Sequence, residues 1–360
     1  MKIIDRFKNI DPRMFKFSIL GILLFTILFG GTYLLYSTWN KPLNSALDLP
    51  SYTAESSPVN STSQPGEDGT SVPENTPQPT IVPVCGGPPS MTVLISGVAS
   101  KNYLYGLADA IRVARIDFQT QEITVLALPR DLWVEIPGLE SRGITVGKLN
   151  QAYFYGTKGM GYFSGSGYGS GLLAETILSN YGLRVDQYLA VNLSSFQIII
   201  DTLGGIDVYL AQDVYRKVYG EPELFLKAGS RHLTGKKAEV LARQRIEIGD
   251  FGRINNQTVI LKGIAAKMLT PSGIKAIPDL VAQLKGNVMT DLSPDQISQL
   301  VCLAAKIDYK EDVSFVTLPE TLMTETMVFD PTRNINTFAL LGDTINIRSL
   351  LEYYQAGIWP

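Results

Sequence analysis

The seventeen residues from Leu241 to Gln257, LARQRIEIGDFGRINNQ, place Arg243, Arg245, Asp250, Arg253 and Gln257 within one helix end, one short turn and the next helix start. Cations this dense repel one another. At about 4 Å and an effective dielectric near 20, a like-charge pair costs about 4 kcal/mol. An anion must offset that repulsion, and the forked guanidinium matches phosphate oxygens best. The segment therefore points to a phosphate or pyrophosphate ligand. On a helix capped by Asp250, Arg253 and Gln257 are four residues apart and share a face. Asp250 can cap the helix and also orient an arginine. Arg243 and Arg245 alternate in an extended exit from the preceding helix, which predicts both on one side. The helix N-terminus adds partial positive charge, so the features converge on one anion site.

Three further positions extend the set. Arg130 and Asp131 in Leu128-Pro129-Arg130-Asp131 follow a strand, where α/β folds place ligands. Lys148 opens a short helix, and Asp109 precedes a strand. Each alone reads as a solvated surface charge; beside the arginine segment they read as one site. Other chemistries lack their residues. The single histidine, His232, has no nucleophile elbow to serve, and no His/Cys cluster has zinc spacing. The glycine-rich run Gly156 to Gly171, GTKGMGYFSGSGYGSG, matches neither phosphate-loop nor dinucleotide patterns. It reads as a mobile surface loop, and Tyr162, Phe163 and Tyr168 leave room for a sugar- or lipid-contacting lid.

The elements that must position these residues follow from periodicity. Met91–Val98, Ala110–Asp117, Glu122–Leu128, Gln187–Leu193 and Val313–Leu318 are apolar, β-rich runs bounded by turn residues. Helical spacing marks Lys148–Tyr155, Ser170–Tyr181, Ser195–Leu203 with Ser194 as N-cap, Gly235–Ala242 with Thr234 as N-cap, Phe251–Leu269, and Asp295–Lys306. Strands alternating with helices indicate an α/β layered domain. The last 40 residues are weakly patterned.

Phe17 to Tyr36 carries no charge, and at 1.5 Å per residue it covers about 30 Å, the thickness of a bilayer core. No small-residue cleavage site follows it, so it reads as an uncleaved signal-anchor. Lys2, Arg6, Lys8, Arg13 and Lys16 precede it, which predicts a cytoplasmic N-terminus and an extracytoplasmic body. The expected organisation is a cytoplasmic tail over 1–16, a transmembrane segment over 17–36, a disordered Ser/Thr/Pro-rich linker over 37–90, a catalytic domain over 91–320 and a C-terminal extension over 321–360. The chain holds 31 basic and 34 acidic residues; with the five N-terminal cations, Asp5 and Asp11 set aside, 26 face 32. That acidic balance excludes nucleic acid, which needs a broad basic field. A local basic pocket in an acidic body suits a small anion instead. Cys85 and Cys302, both in the exported part, leave two readings open: one disulfide, or two separate thiols.

The motifs LPRDLWVEIPG, GKLNQAYFYG, LGGIDV, HLTGKKAEVLARQR and GDFGRINNQ occur in the order found in LytR-CpsA-Psr proteins, and VMTDLSPDQI resembles that domain's C-terminal continuation. The resemblance covers about Met91 to Leu269. It implies an α-β-α sandwich around a mixed central sheet, with a hydrophobic tunnel for a polyprenyl chain. It also implies a membrane-anchored phosphotransferase that moves a glycopolymer from a polyprenyl-pyrophosphate carrier to peptidoglycan or another wall acceptor. On that resemblance Arg130, Arg243 and Arg245 hold the pyrophosphate, Lys148, Arg253 and Gln257 line the same site, and Asp250 orients the arginines or takes the acceptor's proton, with Asp131 as a second candidate base. The sequence departs from the family where a Mg²⁺ ligand is expected: Ala99 replaces an aspartate, and Leu107-Ala108-Asp109-Ala110 replaces Arg-Ser-Asp-Thr. Asp109 alone remains of that acidic pair. Arg112 stands in a strand where the family is apolar, a candidate replacement for lost positive charge. A non-catalytic polyprenyl-phosphate-binding paralogue with a degraded metal site is therefore the alternative. The acidic exported body argues against a third reading, a transcription regulator.

Overall fold

The computed structural model describes residues 41–50, 82–245 and 249–359. The expected tail and signal-anchor, residues 1–36, lie outside these. Among the described residues no helix is long and apolar enough to cross a membrane.

Along the chain run β1 (Ser90–Val98), β2 (Ala108–Asp117), β3 (Glu122–Leu128), β4 (Trp133–Glu135), β5 (Val146–Lys148), α1 (Leu149–Gly156), α2 (Gly169–Tyr181), β6 (Gln187–Asn192) and α3 (Leu193–Thr202). Four short strands follow, β7 (Ile206–Leu210), β8 (Val214–Val218), β9 (Glu221–Leu226) and β10 (Gly229–Leu233), then α4 (Gly235–Ala242), α5 (Gly249–Met268) and α6 (Pro271–Leu284). The chain closes with β11 (Val288–Thr290), α7 (Pro294–Ala304), α8 (Tyr309–Asp312), β12 (Val313–Thr317), β13 (Met323–Asp330), β14 (Ile335–Gly342) and α9 (Thr344–Gln355).

Six strands form one mixed sheet in the order β11-β6-β1-β2-β3-β12. β6 runs parallel to β1 and β12 parallel to β3, while β2 is antiparallel to both its neighbours. Strand alternation sorts the side chains between the two faces. Leu94, Val98, Ile111, Val113, Leu126 and Leu128 enter a core shared with Leu172 and Ile177 of α2 and Leu351 of α9. Met91, Val93 and Ile116 enter a second core with Leu303 of α7. Helices therefore cover both faces of the sheet, the mixed α/β architecture expected. A third cluster, from Ile200 of α3 to Ile260 of α5, roofs the β7–β10 pair.

Several expectations change in detail. The N-cap of α3 is Asn192, not Ser194: its side chain accepts from Ser195 N at 2.8 Å, which also starts the helix earlier. The glycine-rich run is packed, not loose. A Cβ on Gly171 would lie 1.9 Å from Ser166 O, and one on Gly159 would lie 2.2 Å from Leu104 O. Both sites need glycine because another backbone crosses there.

Part of the Ser/Thr/Pro-rich stretch also belongs to the folded body. Leu43 N donates to Leu292 O, Asn44 Nδ2 to Thr290 O, and Leu47 N to Asp291 Oδ2, so residues 43–47 lie along β11. The last 40 residues form the β13–β14 hairpin and α9. Leu340 N donates to Asp131 O, and Tyr354 Oη donates to Val113 O, which ties this tail to the central sheet.

Of the two cysteine readings, the disulfide holds: Cys85 and Cys302 are bonded across 217 positions, joining the chain before β1 to α7. A link closing so long a loop restricts the unfolded chain strongly. Replacing both cysteines by serine is expected to cost about 4 kcal/mol of unfolding free energy. Urea titration of the two proteins with and without reductant measures it; only the natural chain should respond to reductant.

Candidate functional site

The site forms at the C-terminal end of β1 and β3. There β2 begins, because it runs antiparallel, and β3 hands over to Pro129-Arg130-Asp131. Backbone bonds fix this corner to α1: Leu149 N donates to Leu132 O and Asn150 N to Arg130 O. The first turn of α5 reaches the same corner through Asp250.

Arg130 is the hub, with its side chain only 10% exposed. Its Nη1 donates to Asp109 Oδ1 in a short ion pair. Its Nε lies 3.3 Å from both Asp131 Oδ2 and Asp250 Oδ1. Burial alone would lower the Arg130 pKa, but Asp109, Asp131 and Asp250 outweigh it and raise the value. Lys148 Nζ pairs with Asp131 Oδ1 at 2.8 Å. Burial would raise the Asp131 pKa; Arg130 and Lys148 together hold it below the usual carboxylate range. Asp250 goes the other way. Its burial outweighs Arg253 and raises its pKa, aided by the nearby Asp131 charge, and its covered Oδ2 has no hydrogen-bond partner.

Behind this layer stand two buried cations. Arg253 is 1% exposed. Its Nη2 lies 2.6 Å from Asp250 Oδ1 in an ion pair, and its Nε and Nη1 have no hydrogen-bond partner. Burial and repulsion from Arg130 lower its pKa to about 10, so it stays charged at neutral pH. Arg112 does not reach the cavity and so does not replace a lost cation there. Its Nη2 donates to Ile254 O at 3.1 Å and lies 3.4 Å from Gln257 Oε1, which clamps α5 to the sheet. Gln257 Nε2 in turn donates to Asp109 O at 3.2 Å and Ala242 O at 3.3 Å. Arg253 and Gln257 thus share a buried face, as their spacing predicts. Asp250 lies inside the first helical turn, which begins at Gly249, and its carboxylate serves arginines instead of capping the helix.

A cavity of about 870 Å³ opens over this hub. Arg130, Lys148, Arg245, Arg142 and Arg333 line it with Asp109 and Asp131, so five cations face two carboxylates there. Leu107, Ile144, Phe154, Met160 and Tyr162 supply an apolar part of the wall. Asn150 adds a buried Oδ1 without a partner.

Of the residues expected at the anion site, Arg130, Asp131, Lys148 and Arg245 line the cavity, as does the metal candidate Asp109, while Asp250, Arg253 and Gln257 support it from behind. Arg243 departs. It ends α4 in a helical conformation, with φ −101° and ψ −4°, not in an extended exit. Its side chain is 60% exposed and pairs with Glu239 at 3.0 Å, one turn back. Arg142 and Arg333 were not among the expected residues. Arg142 stacks 4.5 Å above the Tyr162 ring, and Arg333 donates to the buried Asp330 at 2.8 Å. Arg333 carries a sequence signal in the Asp330-Pro331-Thr332-Arg333 turn; Arg142 carries none beyond its charge.

A metal fits only in part. Among the described residues no group of three or more His, Cys, Asp or Glu side chains could hold an ion. Of the expected metal pair only Asp109 offers a carboxylate, 27% exposed and already paired with Arg130, and the cavity's other carboxylate, Asp131, is paired with Lys148 and Arg130. That suits only a Mg²⁺ ion that takes its other ligands from water and a substrate phosphate.

These features define a mixed α/β domain with a cation-rich cavity at the strand ends. Residues 65–343 match the model of the LytR_cpsA_psr family, and the chain belongs to that family. The chain is 29% identical to the polyisoprenyl-teichoic acid–peptidoglycan teichoic acid transferase TagU of Oceanobacillus iheyensis over 215 residues, 59% of this chain and 62% of that protein. It is 30% identical to TagU of Bacillus subtilis over 212 residues, 57% of this chain and 61% of that one. It is 26% identical to the regulatory protein MsrR of Staphylococcus aureus over 232 residues, 64% of each chain. The chain thus spans about three fifths of the length of the curated relatives it matches. Among solved structures, B. subtilis TagV superposes with a TM-score of 0.57 at 23% identity, covering 75% of this chain and 98% of that one. TagT bound to LIIa-WTA superposes at 0.54 and 19% identity, covering 75% and 91%.

The electrostatics of Asp131 generate a prediction with a definite sign. Its pKa is held down in the folded protein, so it contributes stability above the ordinary value of 3.8 and loses it as pH falls through the folded value. Asp131→Asn should cost about 3 kcal/mol at pH 7, because it strips Lys148 and Arg130 of a buried partner. Urea unfolding measured from pH 7 down to pH 3 should show the variant and the natural protein converging only at the acid end.

Proposed function

We propose that this protein is a membrane-anchored phosphotransferase that moves a glycopolymer from a polyprenyl-pyrophosphate carrier to peptidoglycan or a similar wall acceptor. The observation that carries this reading is the cavity in which five cations outnumber two carboxylates beside an apolar wall. A pyrophosphate answers the charge, and a polyprenyl chain answers the apolar wall. Family membership and the transferases named among the relatives support the same reading. Phe17–Tyr36 would hold the domain outside the cell membrane, beside a lipid-linked donor.

Phosphoryl transfer asks the protein mainly for positioning and charge neutralisation. Arg130, Lys148 and Arg245 grip the pyrophosphate oxygens, and Arg253 adds positive charge from behind. The acceptor hydroxyl oxygen forms a bond to the phosphorus that carries the glycopolymer. The P–O bond to the bridging oxygen breaks, and polyprenyl monophosphate leaves with the electron pair. The hydroxyl proton passes to a carboxylate. Asp250 suits that role better than Asp131, once the acceptor reaches its covered oxygen. Its Oδ2 makes no hydrogen bond and its pKa is raised, whereas two cations hold Asp131 ionised. Mg²⁺, held by Asp109 together with donor phosphate oxygens, would add further charge neutralisation.

The alternative is a paralogue that binds polyprenyl phosphates without turnover, favoured by Ala99 and by the pairing of Asp109 with Arg130. Release of polyprenyl monophosphate from a lipid-linked glycopolymer by the full-length protein separates the two readings. Absence of release with intact binding supports the paralogue. Binding of geranylgeranyl pyrophosphate tests the site itself. Arg245→Ala should weaken it about tenfold, the worth of one charge-assisted bond. Arg243→Ala should leave it unchanged. Equal losses at Arg243 and Arg245 would contradict the placement of these two side chains.

A further inference from the structure

The N-terminal half of α5 separates two depressions. Arg253 and Gln257 face the cationic hub. Gly252, Asn255, Asn256 and Val259, spaced as one helical stripe, face a second groove of about 680 Å³. The chain before the helix divides in the same way: Arg245 lines the cavity and Gln244 lines the groove. The far wall comes from the β7–β8 turn, with Tyr209, Gln212 and Tyr215.

The two depressions differ in chemistry. Among the described residues of the groove the single charge is Asp213, and its Oδ1 is already bonded by Ala228 N at 2.7 Å. What remains is four side-chain amides and two phenols. Tyr209 is 70% exposed and Tyr215 is 36% exposed, so their rings stand free to cover an apolar face. A β-bulge between Val214 and Tyr215 breaks the strand register there, a device that re-aims a side chain. The Asn256 Nδ2 is covered and has no hydrogen-bond partner. Amides offer donors and acceptors together, and phenol rings offer flat apolar faces with a polar tip. A sugar ring presents the counterpart: hydroxyl and amide edges around an apolar C–H face. An anion finds no cation in this groove, and a purely apolar ligand would bury its amides unpaired.

We propose that this groove binds a neutral saccharide chain and serves as the acceptor subsite, with α5 as the wall between acceptor and donor. The binding claim stands on the groove alone; its role as acceptor subsite rests on the transferase reading. An α-helix is about 10–12 Å across, so a chain of a few sugars in the groove can extend past the helix start to the hub. Gly249 opens that helix with a left-handed backbone, and among the described residues nothing lies within 4 Å of its missing Cβ.

The test is calorimetric titration of the full-length protein in detergent with chitotetraose, a neutral amino-sugar tetramer, and separately with inorganic pyrophosphate. Saturable chitotetraose binding is expected. Tyr209→Ala with Tyr215→Ala should weaken it at least tenfold, and Asn255→Ala severalfold, with pyrophosphate affinity unchanged in both. Arg245→Ala should do the reverse. All the replaced side chains are surface-exposed or half-exposed, and an unchanged urea midpoint certifies each variant as folded. The proposal is overturned if chitotetraose does not bind, if binding survives loss of both tyrosines, or if Arg245→Ala abolishes it, which would move the sugar into the cavity. Failure of the transferase reading shows separately, as pyrophosphate binding that ignores Arg245. In transfer assays the tyrosine pair should raise the acceptor KM and leave the donor KM in place.

Discussion

Everything at the strand ends depends on one buried guanidinium. Arg130 meets carboxylates from the start of β2, from its own neighbour Asp131 and from the first turn of α5. A buried charge is tolerated only when paired, and removing a partner leaves the rest uncompensated. The requirement therefore acts as a clamp among elements distant in sequence. It docks α5 against β2, and through Asp131 it holds Lys148 at the entrance to α1. Asp131 is held in turn by Leu340 N on its backbone oxygen, so β14 belongs to the same clamp. The charges that would recognise a ligand also assemble the fold around it.

This dependence qualifies the simple argument that clustered cations require an external anion. Asp109, Asp131 and Asp250 already neutralise Arg130. The surplus lies elsewhere, at Arg142 and Arg245 on the cavity wall and at the buried, under-bonded Arg253. Arg253 is the telling case. Its desolvation is expensive, its charge is only partly met by Asp250, and neither Nε nor Nη1 forms a hydrogen bond. A protein shaped for stability alone would place an apolar side chain there. A fixed positive charge under a cavity makes sense as preorganised stabilisation of an anion, since it needs no reorganisation when that anion arrives.

The sheet was legible because buried strands leave a strong signal. Met91–Val98 and Glu122–Leu128 alternate between two apolar cores, so both their existence and their bounds follow from residue type. The β13–β14 hairpin was not legible because its alternation is inverted: Met327, Phe329, Ile335 and Leu341 point outward. The helix α6 was hidden by Pro278 in its middle and Gly273 in its first turn. At the site, Arg253 and Gln257 were legible because a helix fixes their spacing. Arg243 faces elsewhere although α4 ends at Ala242 as expected: the residue after the helix keeps helical dihedrals instead of extending, and its side chain pairs with Glu239. Arg142 and Arg333 converge on the cavity only through tertiary packing of two turns, and no local pattern encodes that.

Arg333 shows why the tail cannot be set apart from the site. It sits in the turn between β13 and β14, and its guanidinium is held by Asp330. Asp330 is fully buried and is bonded as well by Gln151 of α1, so burial is outweighed and its carboxyl stays below the usual range. The chain Gln151–Asp330–Arg333 therefore fixes this part of the cavity wall to the same short helix whose start carries Lys148. Lining residues about 180 positions apart in sequence are thus held by the first turn of one short helix. A ligand touching both Lys148 and Arg333 would rest on groups tied to the same first turn of α1, where Gln151 accepts from Lys148 N and donates to Asp330.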